Sequence, residues 1–369
     1  MTSSIISILK TKPKTVIKDY HKLLGLANFK KNISGNNEII LKLNLSWSLY
    51  YPACSTEPWQ LHGLLETLKQ ENYDFNKIHA VENRTVVTDV WKGAKGNKWL
   101  PILDKYKLKY EPLTETEWIK YRPKSEMLAL DEVFKPFNKK NQPSAAYKLP
   151  KLFIGKDIVH LPTIKTHGHT QMTGAMKNAF GGLITTRRHH CHKKIHEVLV
   201  DLLQIQKEIH PNIFAVMDGT VTGDGAGPRT MIPKIKNMIL AGADQVAIDA
   251  ISAHLMGYKP LKIKFIKIAH DLGLGCGDID QIELHGISKN EFKKINFKFK
   301  TGKSPVIFFD QVFRSKIKFI EPLLFHTPLF KLCIFGSAFY HDYIWYNTIG
   351  RKYINNFMKS AWGKLWQQY

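Results

Sequence analysis

Between His160 and His196 the chain reads HLPTIKTHGHTQMTGAMKNAFGGLITTRRHHCHKKIH, with seven histidines and two lysines, Lys165 and Lys177, ahead of the pair Arg187-Arg188. Imidazole titrates near neutrality and suits proton transfer. Ammonium and guanidinium groups neutralise phosphate or carboxylate, and a carboxamide such as Asn178 orients them. His167, Lys165, Lys177 and Asn178 are therefore the candidate catalytic residues. Gly174 and Arg187 are candidates for holding an anionic cofactor. His189, His190 and His192 stand close enough together to ligate a metal through imidazole, as nickel, zinc or iron would accept. His160 lies inside an apolar run and reads as a core or edge histidine.

Two further segments carry suitable chemistry. Asp218-Gly-Thr-Val-Thr-Gly-Asp-Gly-Ala-Gly-Pro228 reads as a glycine-rich loop after a strand. Gly225 and Gly227 there could offer backbone N–H groups to an anion, and Asp218 could accept protons. The segment lacks the Lys-Ser/Thr of a Walker loop. Lys42-Leu-Asn44 closes an earlier strand, so Lys42 and Asn44 join the cofactor-binding candidates. Asp249 is either a buried acid facing the site or a first-turn charge.

These residues need a scaffold that brings strand ends together. Residues 39–45, 78–82, 157–161 and 213–217 are short apolar runs that read as strands. Thr56 and Pro58 read as a helix start, a hydroxyl cap followed by an early proline, with Leu61, Leu64, Leu65 and Leu68 on one face. Helices are also predicted over 196–209 and 244–256. The alternation predicts an α/β fold: a mostly parallel twisted sheet with helices on both faces. An irregular insertion is expected at 92–148, where prolines recur and apolar periodicity fades. We divide the chain into an α/β domain, 1–313, and a C-terminal basic and aromatic extension, 314–369.

The chain has 369 residues, 44% hydrophobic and 23% charged, which is a globular composition. Its 54 Lys+Arg against 31 Asp+Glu give a net charge of +23. Such a field favours an anionic small molecule or an anionic membrane surface met through 314–369. No helix-turn-helix, finger, RRM or KH signature is present, which argues against specific nucleic-acid binding. Four scattered cysteines without a CxxC read as reduced thiols in the cytoplasm, and no iron–sulfur cluster is expected from this chain alone. The apolar start before Lys10 is too short for a signal peptide.

Lys42-Leu-Asn44, Lys165-Thr-His167, Thr173-Gly-Ala-Met-Lys-Asn178 with Gly181, Asp218-Gly219, Gly227-Pro228, Asp244 to Asp249 and Leu272-Gly-Leu-Gly275 resemble the DUF362 family in order and spacing, over about 39–286. Many relatives append a cysteine-rich ferredoxin-like module, which this chain lacks. The ten-residue spacing of His167 and Lys177, with Gly174 between, is also similar to nickel-pincer lactate racemases. That resemblance implies a phosphorylated or metal-bearing cofactor on Lys177. Three functions stay open. The chain is an enzyme acting on an anionic substrate or phosphorylated cofactor at a Lys/His/Asn site, with redox or isomerisation chemistry by family analogy. Alternatively it is a metal or cofactor carrier, or a basic membrane-surface or nucleic-acid binder.

Overall fold

The computed structural model describes residues 4–134, 147–184, 188–315, 321–325 and 327–369. In chain order the strands are β1 (Ile5–Lys10), β2 (Ile39–Lys42), β3 (Ile78–Glu82), β4 (Tyr110–Pro112), β5 (Trp118–Tyr121), β6 (Tyr147–Pro150), β7 (Asp157–His160), β8 (Thr163–His167), β9 (Gln171–Met172), β10 (Ile213–Ala226), β11 (Thr230–Gly242) and β12 (Glu283–His285). The main sheet runs β12-β1-β11-β10-β7-β2-β3-β4, with β8 continuing beyond β7 along β10 and β9 folded back on β8. Its neighbours are parallel except that β11 is antiparallel to β1 and β10, and β9 to β8. β5 and β6 form a separate antiparallel pair.

Alternation along each strand explains the two layers of helix. Successive side chains point to opposite faces. Ile40, Val81, Ile158, Ala215 and Met217 enter one core, under the helices Ala175–Leu183, Ile195–Ile209, Gln245–Met256 and Lys264–Asp271. Ile39, Leu41, Ala80, Val159, Phe214 and Val216 enter the other, under Val16–Leu26 and Pro58–Gln70. Both faces are covered, so β2 is buried at every residue, Lys42 included.

Glu57 rather than Thr56 caps the helix Pro58–Gln70, in a capping box with Gln60. The Thr56 hydroxyl instead accepts from the Asn44 N–H and donates to the Leu161 carbonyl, each at 2.8 Å, and so ties two strand ends. Of the stretch 92–148, residues 135–146 lie outside the described residues, and the remainder carries short elements. β4 extends the sheet edge, and the Asp201 carboxylate accepts the N–H groups of Leu128, Ala129 and Leu130 at the start of the helix Leu130–Phe134.

The C-terminal segment packs as a cap. The helix Pro305–Ser315 is followed by helical backbone running from Phe330 to Met358, whose middle, Phe339–Gly350, has the wider π-helical winding. Trp345, Ile354, Phe357 and Trp362 are buried in the second core. The Trp47 Nε1–H donates to Asp342 Oδ1 at 2.6 Å, and the Trp362 Nε1–H to Asn237 Oδ1 at 2.7 Å. Among the described residues no helix is long and apolar enough to cross a membrane.

Candidate functional site

Parallel strands β2, β3, β7 and β8 all finish at one end of the sheet, the end where open α/β folds place ligands. Lys42 closes β2 with its side chain buried. Its ammonium donates to Glu82 Oε1 at 2.7 Å and to the Leu43 carbonyl at 2.6 Å. Glu82 also accepts the N–H groups of Leu45 and Asn83. Lys42 therefore latches β2 to β3.

From there a hydrogen-bonded chain crosses the strand ends. The Asn178 carboxamide donates to the Lys42 carbonyl at 3.0 Å and meets His160 Nδ1 at 3.3 Å. His160 Nε2 meets Gln206 Oε1 at 2.7 Å, and burial lowers the imidazole pKa to about 3. It is a neutral core histidine. Asn178 Oδ1 accepts from Asn44 at 3.2 Å, and Asn44 Oδ1 accepts from the Lys165 ammonium at 2.7 Å. Lys165 also donates to the Thr163 hydroxyl at 2.6 Å. Burial lowers its pKa to about 8.

The helix Ala175–Leu183 carries Lys177 and Asn178 on its first turn. Asp249, fully buried on a neighbouring helix, accepts the Ala175 N–H at 2.6 Å and the Met176 N–H at 3.1 Å. Gly174 is what permits this: a Cβ there would collide with the Asp249 carboxylate. Asp249 is thus a buried acid, but it lines neither the recess nor the cleft described below; it faces the backbone at the start of the helix and positions it. Lys177 lies with its ammonium 5.3 Å from the centre of the Phe180 ring. Burial, then the charges of Lys165 and Arg188, lowers its pKa to about 7. His167 Nδ1 accepts the His169 N–H at 3.2 Å, which leaves Nε2 to carry the proton of the neutral ring. Burial, and next the Lys177 charge, holds His167 well below the usual imidazole range. The group titrating near neutrality is therefore Lys177, not His167.

Asn44, Lys165, His167, Gly174, Lys177 and Asn178 converge on a recess of about 50 Å³. The recess shares Asn44, His167, Lys177 and Asn178 with a cleft of about 650 Å³. Lys42, Arg188, Gly227 and Arg229 line the cleft as well. Its far walls are apolar and come from the C-terminal helices: Ile307, Phe309, Phe313, Phe330, Ile334 and Tyr340.

Several candidates stand elsewhere. Asp218 does not line the cleft. It is fully buried within β10, where its carboxylate accepts from the Tyr20 hydroxyl at 2.7 Å, the Trp59 Nε1–H at 3.0 Å and Thr220. The expected loop 218–228 is strand as far as Ala226, because β10 and β11 pair through Ala226↔Thr230. Gly225, at φ +92°, turns its carbonyl to the Thr166 hydroxyl and the N–H groups of Gly227 and Gly302. It offers no N–H cradle and lies outside the cleft. His189 stacks on Phe330 at 3.8 Å and also lines the cleft, while His190 lies against His189, ring centres 4.0 Å apart and planes tilted by 41°. His192 Nδ1 is 3.9 Å from Asp310 Oδ2. Arg187 lies outside the described residues. His169 and Asp310, Glu82, Arg229 and the apolar walls escaped selection. Arg229 directly follows Gly227-Pro228, a signal that was available.

A mostly parallel α/β sheet with a lysine- and histidine-lined cleft at its strand ends defines the class. Within that class the chain belongs to the DUF362 family, whose model, described as "Domain of unknown function (DUF362)", matches residues 39–254, more than half of the chain. It is similar to the "Thylakoid-associated protein sll1697" of Synechocystis sp., 26% identical over 121 residues, which is 32% of this chain and 37% of that protein. A solved structure of a Thermotoga maritima protein matches with a TM-score of 0.36 and 13% identity, over 62% of this chain and 56% of that one. The chain thus spans less than two thirds of the length of either.

Proposed function

We propose that the chain is an enzyme acting on an anionic molecule with a sizeable apolar portion. The head group enters the recess at Lys165 and Lys177, and the apolar part lies against Phe309, Phe313 and Phe330. One observation carries this reading. Among the described residues no hydrogen bond or ion pair engages the Lys177 ammonium, although it stands at the polar end of a cavity of ligand size. A cation so placed calls for an anion. With its pKa near 7, Lys177 can give or take a proton on the bound molecule at physiological pH. His167 offers a neutral Nε2–H donor to the same place. Lys165, Asn44 and Asn178 hold the charge pattern fixed. Mass spectrometry of small molecules released from purified protein tests the reading. An acidic, largely apolar compound retained by the intact chain and lost from Lys177→Ala is the expected result. Retention of only polar cations, or equal retention by the variant, would overturn it.

A second reading, attachment to an anionic membrane surface, has its own support. Leu332, Phe335, Phe339 and Tyr343 recur at helical spacing and are 67%, 69%, 49% and 68% exposed. Exposed Arg351 and Lys352 follow on the same helical run, and exposed Lys359 directly after it. An apolar stripe beside cations suits a helix lying in the headgroup layer. Replacing the four stripe residues by serine is expected to abolish co-sedimentation with phosphatidylglycerol vesicles while the melting temperature holds. Unchanged co-sedimentation excludes the stripe. Truncation at residue 313 is no test, since Trp345 and Trp362 belong to the core.

A further inference from the structure

We infer that His169, His192 and Asp310 form a binding site for a divalent first-row transition ion on the wall of the cleft. His169 Nε2 lies 3.7 Å and His192 Nδ1 3.9 Å from Asp310 Oδ2. The two imidazoles are stacked, 4.4 Å between centres and 19° between planes, so one ring must turn to bring both in-plane lone pairs onto a single ion. All three donors lie within 4.8 Å of one another. Metal bonds of about 2.1 Å from His and Asp put tetrahedral donors about 3.4 Å apart, so the donors draw together and one imidazole turns when an ion is taken up. Among the described residues no hydrogen bond reaches the buried His192 Nδ1, a polar atom that an ion would satisfy.

The surroundings fit a ligand set. The Arg314 Nε–H donates to both Asp310 oxygens, at 3.0 and 3.1 Å, and fixes the carboxylate's orientation. Two imidazoles with one carboxylate favour zinc, iron or cobalt over magnesium or calcium, which prefer all-oxygen sets. Three protein ligands leave at least one position open, the pattern of a working rather than a structural site. All three residues line the cleft that also holds His167 and Lys177. A bound ion would therefore face whatever molecule the cleft admits. The inference goes beyond the proposed activity and does not need it, because ion binding is measured without any organic ligand.

The test uses tag-free full-length protein freed of metal with a chelator. Titration with Zn²⁺ by calorimetry, and with Co²⁺ by visible absorption, is expected to give one saturable equivalent. The Co²⁺ spectrum should carry ligand-field bands and no thiolate charge-transfer band. His169→Gln, His192→Gln and Asp310→Asn should each weaken binding about tenfold or more, and His189→Gln should not. Mg²⁺ should not compete. No saturable equivalent, binding indifferent to the three substitutions, or a thiolate band implicating Cys333 would each overturn the site. Should the variants misfold, the spectrum of the unmodified chain still decides.

Discussion

The Lys165 ammonium donates to Asn44 Oδ1 across 121 residues of sequence, and the same Asn44 donates to Asn178 on the helix that carries Lys177. Two cations are thus set beside one recess by a relay of carboxamides. The arrangement has a pH signature. Lys177, near 7, and Lys165, near 8, lose their charge before an ordinary lysine does. The affinity for a fatty-acid or alkyl-phosphate probe should fall as pH rises from about 6 to about 9. Stability should move the other way. Both folded-state values lie below the unfolded value of about 10.4, so above pH 7 the unfolded chain holds more protons and stability rises with pH toward 10. Calorimetry and denaturant melts across that range check both slopes, and Lys177→Met should flatten each.

Gly174 and Gly25 separate two uses of glycine. A methyl at Gly174 meets the Asp249 carboxylate, whereas at Gly25, exposed on a helix, it meets nothing within 4 Å. Gly174→Ala should cost about 1–3 kcal/mol through overpacking. Gly25→Ala should gain about 0.5–1 kcal/mol from helix propensity. Urea melts distinguish the signs.

The Lys42–Glu82 pair is buried on both sides, at 1% and 3% side-chain exposure. Glu82→Leu alone strands a buried ammonium and should cost about 3–5 kcal/mol. The double change Lys42→Met, Glu82→Leu should recover much of that loss. A double-mutant cycle measures the difference.

Asp218→Asn tests the exclusion of that residue from the cleft. Loss of its paired acceptor for Tyr20 and Trp59 should lower stability by about 1–3 kcal/mol. Retention of the cleft's ligand should be unchanged.

The parallel sheet was legible because its strands are short continuous apolar runs, as at Ile39-Ile40-Leu41. The convergence of Lys42, Asn44, Lys165, His167, Lys177 and Asn178 followed from their places at strand ends. Asp218 misled because its neighbours, Gly219 and Gly223, read as a turn. The length of β10 depends on pairing with β11, which local glycine content does not reveal. The helix Leu130–Phe134 was missed because Asp201, a remote carboxylate, caps it rather than an apolar stripe marking it. His169 and Asp310 stand 141 positions apart in the chain, so spacing alone favoured the neighbouring His189, His190 and His192.

The walls and floor of the cleft come from distant stretches of the polypeptide. Lys42 to His192 supply the floor, while Phe309, Phe330 and Ile334 arrive only when the last quarter of the chain has docked. In chain order the floor of the chamber therefore precedes the walls that close it. Any molecule that fills it acts as a clasp, adding its binding free energy to the hold of the terminal helices on the sheet. Occupancy should be readable without knowing the chemistry, as slower amide exchange or proteolytic cutting after Phe330.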